Sequence, residues 1–434
     1  MLLRPSLLML ASLAWVASAD GDGDRGLSLR LTRGVLPALV ICTLTLVSAV
    51  AVHAVVTRRR ASAKTVKAST KVVKKDCVLQ RDDALEKAAA ASKQRFPAGV
   101  RVQTKSRGEG VVRSYSADSD LYEIELVESG EGTAKLSSAE IIEPRVKDFY
   151  IYPIKSCAGI RLESAQIAET GLAHDREWMF ADEKGKFITQ RRYHRLALVH
   201  PKLVPTIENP TAIVLTAKGM PDLKVPIIRE GSGRELDVNV WQSKMIAVDQ
   251  GDAAAEWITT FMSKDLGERK IRLVHFKESF QRPTHERYAP GHHTGFADAF
   301  PILLTAAASL DELNKHLDDP VPMNRFRPNI VLEGCPAFSD DYWNCLTIGD
   351  LKFRNVRPCG RCNLPCVDQA TGVTHPGREP SKTLVRVRNG AELGFTYASK
   401  ADNYFGSNLV VEKTGRLSVG APVKVLTRKD EIFA

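Results

Sequence analysis

Three of the chain's eight cysteines crowd into eight residues, in the run Arg357-Pro-Cys-Gly-Arg-Cys-Asn-Leu-Pro-Cys-Val-Asp368. Arginine beside a thiol lowers its pKa and favours the thiolate. A thiolate held on a rigid loop can act as a nucleophile, a redox group or a soft metal ligand. Three other chemistries compete for the same residues. A structural zinc site needs four ligands, and only one C-x-x-C pair, Cys359 and Cys362, is present beside Cys366. A thioredoxin-like motif should open a helix, but Pro365 and Asp368-Gln-Ala-Thr-Gly372 read as loop. The cysteines could also simply be small buried hydrophobes.

The elements that must position this loop are strands. Leu346 to Val356 alternates apolar and polar residues and reads as one strand, which Pro358 should end because proline cannot donate to a ladder. Further upstream, Val146–Lys155 reads as a strand running into Pro153-Ile-Lys-Ser-Cys157-Ala-Gly159. Gly171–Ala181 and Phe187–Arg191 are short strands with polar, cationic ends, and more follow through Val248. Helical signals are sparse. Ala253–Met262 is amphipathic, and Ser309-Leu-Asp-Glu312 reads as a capping box opening a helix to His316. Arg325–Leu332 then enters a strand. Few helices among many strands give an α+β, β-barrel-rich class.

Composition bounds the partners. The 434 residues are ordinary globular material, 44% hydrophobic and 26% charged, with a net charge of +10. That charge is local: Arg58 to Asp76 carries eight bases and one acid, residues 1–57 add one more positive charge, and only +2 remains for 77–434. A nearly neutral globular part excludes a nucleic-acid partner and favours a basic segment beside a membrane. Residues 1–19 form a signal-like segment, with Arg4, an apolar run from Leu7 to Val16 and Ala17-Ser-Ala19. Residues 34–57 carry no charge and are long enough to span a bilayer as a transmembrane helix. Arg58-Arg-Arg60 follows directly, which places the large domain on the cytosolic side of a single-pass membrane protein. Residues 58–96 read as a basic linker and a spacer helix. Residues 97–145 read as about five short strands, a small Tudor-like β-barrel. With only Tyr115 and Tyr122 as aromatics among those strands, it reads as a spacer or docking module with no methyl-lysine cage.

Four motifs occur in order: Tyr152-Pro-Ile-Lys-Ser-Cys157, His174-Asp-Arg-Glu-Trp178, Asn324-Arg-Phe-Arg-Pro-Asn-Ile-Val331 and Cys359-Gly-Arg-Cys362. Together they resemble the MOSC (molybdenum-cofactor sulfurase C-terminal) superfamily with its N-terminal β-barrel partner, and most closely the mitochondrial amidoxime-reducing component branch. The resemblance runs from about Val146 to Leu426. It implies a MOSC N-terminal domain over 146–285, a MOSC domain over 286–428, and a molybdenum–molybdopterin cofactor held between them. Molybdenum would be ligated by Cys362, the catalytic position. The cofactor would be bound by Lys155, Ser156, Arg176, Asp298, Arg327, Asn329, Gly360, Arg361 and Cys362. The chemistry of these residues suits that role, since Lys and Arg bind phosphate and an amide can both donate and accept.

The resemblance further implies a membrane-anchored oxidoreductase, in the mitochondrial outer membrane or endoplasmic reticulum. It would reduce small N-hydroxylated substrates with electrons from a b-type cytochrome and its NADH-dependent flavin reductase. The alternative is a non-catalytic module that binds molybdenum cofactor or carries sulfur, as in MOSC domains fused to pyridoxal-phosphate sulfurases; no such sulfurase domain is present in this chain. Ala299 and Phe300 replace hydroxyl residues typical of the branch, Gly360 a serine and Asn408 an aromatic, which bears on substrate range.

Overall fold

The computed structural model describes residues 96, 98–116, 119–127, 132–267, 269–395, 401–429 and 432. The signal-like segment (1–19), the spanning run (34–57) and all but the last residue of the linker and spacer (58–96) lie outside them. Among the described residues, no helix is long and apolar enough to cross a membrane.

The described chain is β-rich with few helices. Its largest sheet has eight strands, in the spatial order Val423–Arg428, Trp343–Ile348, Leu351–Gly360, Tyr404–Val411, Ile302–Ala306, Ile330–Glu333, Arg145–Ile151 and Ile160–Leu162. One neighbouring pair, Ile302–Ala306 and Ile330–Glu333, is parallel. A parallel pair needs a crossover, and the helix Ala307–Asn314 supplies it. A four-stranded antiparallel sheet follows the order Trp178–Asp182, Ile271–Phe276, Ser243–Asp249, Glu235–Val240. One core runs under both halves of the chain. It includes Phe149, Ile151, Trp178 and Phe180 from the first half and Trp343, Leu346 and Phe353 from the second, all buried. The helix Asp252–Phe261 buries Ala254, Ala255, Trp257, Ile258 and Phe261, the stripe its sequence period foretells.

The first strands, Arg101–Thr104, Glu109–Ser116, Leu121–Leu126, Thr133–Ser137 and Ile141–Ile142, form a five-stranded antiparallel sheet. It has its own core of Val102, Val112, Tyr122, Ile124 and Leu136. Tyr122 is fully buried there, which removes one of the two aromatics from any surface cage.

Three local readings change. Leu346–Val356 is not one strand: Trp343–Ile348 and Leu351–Gly360 pair as a hairpin, and Gly349 turns the corner at φ +54°. Pro358 does not end its strand, which continues to Gly360. Register shifts flank the proline, and at such an irregularity a missing N–H is tolerated. The helix expected from the Ser309 capping box begins earlier, at Ala307, straight out of the strand Ile302–Ala306. The Ser309 hydroxyl instead accepts the Phe338 N–H at 2.8 Å.

Candidate functional site

A cavity of about 510 Å³ opens where segments from both halves of the chain meet. That is the size of small-molecule and cofactor sites. Lys155, Ser156, Arg176, Arg191 and Trp241 reach it from the first half, and residues from the loop 297–300, the segment 326–329 and the cysteine loop 357–364, among them Asp298, Arg327 and Cys362, from the second. All nine residues expected to bind a cofactor therefore line one cavity. Its walls carry six cationic side chains against one carboxylate, Asp298, so it favours an anionic occupant.

Lys155 comes off the end of the strand Arg145–Ile151 and is only 5% exposed. Its Nζ donates to Asp298 Oδ1 at 2.6 Å and to the Phe296 carbonyl at 2.8 Å. Burial pushes the ammonium down to about 8, with Asp298 partly offsetting it. Burial would raise Asp298, but Lys155 and Arg191 outweigh it and hold the carboxyl well below the usual range. Arg282 clamps the backbone of this loop, donating to the carbonyls of Gly295 and Asp298 at 2.7 and 3.1 Å.

Deeper in, Arg176 and Arg327 stack on the ring of Tyr152, 4.4 and 4.1 Å from its centroid. Arg176 is tied into the scaffold. It pairs with buried Asp175 at 2.5 Å and donates to Asn329 Oδ1 at 3.1 Å and to the Arg327 carbonyl at 3.2 Å. Asn329 also accepts the Leu303 N–H and donates to the Tyr150 carbonyl, both at 3.1 Å, so its amide locks three strands together. Arg327 differs. Its Nη1 reaches Gln369 Oε1 at 3.4 Å, but its Nη2 is buried with no hydrogen-bond partner among the described residues. An unmatched buried guanidinium nitrogen costs stability unless an anion meets it. Burial lowers this guanidinium to about 10, so it stays charged at neutral pH. Ser156, Arg176, Trp241 and Arg327 all sit at positive φ, between +52° and +70°. Strain in non-glycine residues collects where geometry serves a site.

The three cysteines separate. Cys366 is buried, with its sulfur against Ser381 Oγ at 3.1 Å and the Arg378 carbonyl at 3.2 Å, a structural position. Cys359 takes an N–H from Arg361 Nη1 at 3.2 Å, while Arg361 Nη2 holds the Phe326 carbonyl at 2.8 Å. Cys362 lines the cavity and accepts the Arg191 Nε–H at 2.9 Å. Among the described residues no cluster of three or more His, Cys, Asp or Glu is placed to hold a metal. Cys362 would have to ligate a metal whose other ligands come from elsewhere. The loop that carries it is anchored by Arg325, which pairs with Asp368 at 2.8 Å and donates to the Pro365 carbonyl at 3.3 Å. Cys157 is fully buried, its thiol pushed up to about 12 by burial, and it does not line the cavity.

Residues 143–265 match the MOSC N-terminal beta barrel domain, and residues 291–424 match the MOSC domain. The mitochondrial amidoxime-reducing component 1 of Xenopus laevis is 31% identical, over 65% of this chain and 82% of its own length. Component 2 of Bos taurus is 34% identical over 64% and 82%, and component 1 of Homo sapiens 33% over 65% and 82%.

The chain belongs to the MOSC family.

Its cavity sits where segments of both MOSC halves meet. Ala299, Phe300, Gly360 and Asn408, the positions expected from the sequence to depart from the amidoxime-reducing branch, all line it. Among the lining residues that the sequence reading did not assign are Arg191, which bonds Cys362 and Asp298, and Trp241, whose Nε1 donates to Asp298 at 3.2 Å. Arg191 had a faint signal, since it ends a short segment just as Lys155 does. Trp241 had only its place between two alternating runs.

Proposed function

We propose that this MOSC protein is a molybdenum-cofactor-dependent oxidoreductase that reduces N-hydroxylated compounds such as amidoximes. The observation that carries the reading is one cavity lined by the Cys362 thiol and six cations, with the buried Arg327 Nη2 lacking a partner among the described residues. Those features fit a phosphorylated pterin that supplies its own sulfur ligands to molybdenum. Arg327 and Ser156 would meet the anionic end, Lys155 would neutralise charge near Asp298, and Cys362 would supply the protein's sulfur ligand. Arg176 and Asn329 would hold Arg327 and the neighbouring strands in place. When bound, the group supplies two-electron chemistry through metal valence changes.

The overall reaction takes an amidoxime, two electrons and two protons to an amidine and water, with cleavage of the N–O bond. The electrons would arrive singly from a b-type cytochrome served by a flavin reductase, with the protein attached to a mitochondrial membrane through residues 34–57. The relatives' names support the amidoxime and the mitochondrion. The replacements at 299, 300, 360 and 408 point to a substrate range that differs from theirs.

The test is benzamidoxime reduction by the purified, cofactor-loaded full chain with a chemical electron donor. Wild type should form benzamidine, and Cys362→Ala should lose at least about 100-fold in rate. Equal rates in the two proteins would remove Cys362 from the chemistry.

A further inference from the structure

Arg191 is held on three sides. Its Nε–H points at Cys362 Sγ at 2.9 Å, and its Nη2 pairs with Asp298 Oδ2 at 2.6 Å. The Trp241 ring lies 4.9 Å from the guanidinium carbon and is fixed edge-on against Phe187 at 5.1 Å. The Trp241 indole N–H donates to the same Asp298 carboxylate, whose Oδ1 also takes Lys155 Nζ. A guanidinium is a planar fork with fixed donor directions. With Asp298 gripping one prong and Trp241 covering its face, the Nε–H has little choice but the sulfur. Trp241 keeps this place at φ +55° while 53% exposed, a left-handed conformation that non-glycine residues rarely adopt. The cover is therefore held against local preference. The chain Lys155–Asp298–Arg191–Cys362 also crosses between the two halves of the protein, with 171 residues separating its last two members.

We infer that Arg191 is a positioning residue for the Cys362 sulfur, fixing its direction and drawing charge from it, and so raises the reduction potential of molybdenum bound there. The inference rests on the proposed role of Cys362 as a metal ligand. Two physical effects act in the same direction. An N–H donated to a ligating sulfur weakens its donation to the metal. A fixed positive charge nearby favours the more reduced, less positive metal.

The test uses the cofactor-loaded full chain and the variants Arg191→Gln and Arg191→Lys. The readout is the molybdenum midpoint potential, from potentiometric titration followed by electron paramagnetic resonance. Arg191→Gln should titrate at a lower potential than wild type. Arg191→Lys should fall between them, because it keeps the charge but cannot reach both partners in one plane. Substrate reduction in Arg191→Gln should slow by about 10–100-fold. An unchanged potential in a metal-loaded Arg191→Gln overturns the inference. So does loss of folding or of metal in both variants, which would make Arg191 a structural clamp. A wild-type protein that binds no molybdenum would instead overturn the proposed function.

Discussion

Lys155 shows at the scale of one side chain what the cavity demands. Its ammonium is buried, and two contacts do not fully replace the water it gives up, so its proton is held less tightly than in the unfolded chain. The folded group loses that proton near pH 8 and the unfolded one near pH 10.4. Between those values the unfolded chain binds more protons, so stability should rise with pH. Measured against Lys155→Met by chemical denaturation at pH 8 and pH 10, wild type should gain roughly 2 kcal/mol. A pH-independent difference would contradict the burial argument. Lys155, Arg176, Arg327 and Cys362, which line the cavity, could be singled out in the sequence because each stands in a motif by which the chain resembles the MOSC superfamily. Arg191 and Trp241 could not, because their roles arise from partners 171 and 57 residues away. No local pattern carries a contact of that range.

Two glycines on neighbouring strands separate backbone need from free space. Gly406, in the strand Tyr404–Val411, has φ +77°, and a Cβ there would stand 2.6 Å from the Leu304 carbonyl oxygen and 2.8 Å from Thr305 Cγ2. Gly360, at the end of Leu351–Gly360, has no such φ, and its nearest neighbour is Tyr404 Cε1 at 3.7 Å. Gly406→Ala should therefore destabilise the protein by at least about 2 kcal/mol. Gly360→Ala should stay within about 0.5 kcal/mol. Denaturation midpoints check both, and equal effects would contradict the strand geometry behind the cavity. The same region shows why element boundaries were only partly legible. The apolar phase slips by one across Gly349-Asp350, from Leu346 and Ile348 to Leu351 and Phe353, and a slip that small is easily read through as one alternating run. Pro358 read as a terminator because a regular ladder needs its N–H, and the register shifts beside it remove that need. The Ser309 motif misplaced a helix start because its hydroxyl serves a residue on another segment.

For the molecule as a whole, the cavity needs both halves of the MOSC unit but not the five-stranded sheet before it, whose core is separate. Deleting residues 98–140 should leave metal content and benzamidoxime reduction unchanged. A loss of either on a folded protein would give that sheet a part in the chemistry. The β-rich class and the meeting of two halves at one site were readable from ordered motifs and sparse helical signals. The electrostatic chain across the halves was not, because strand order in space differs from order in sequence: Arg145–Ile151 pairs with Ile330–Glu333 across 181 to 188 residues of chain.

The most direct test of the central claim is metal analysis of the full chain, produced with a supply of molybdenum cofactor, beside Cys362→Ala. The proposed function predicts molybdenum in equal number to wild-type chains and its loss from the variant. Wild-type protein that carries zinc, or no molybdenum, would contradict it.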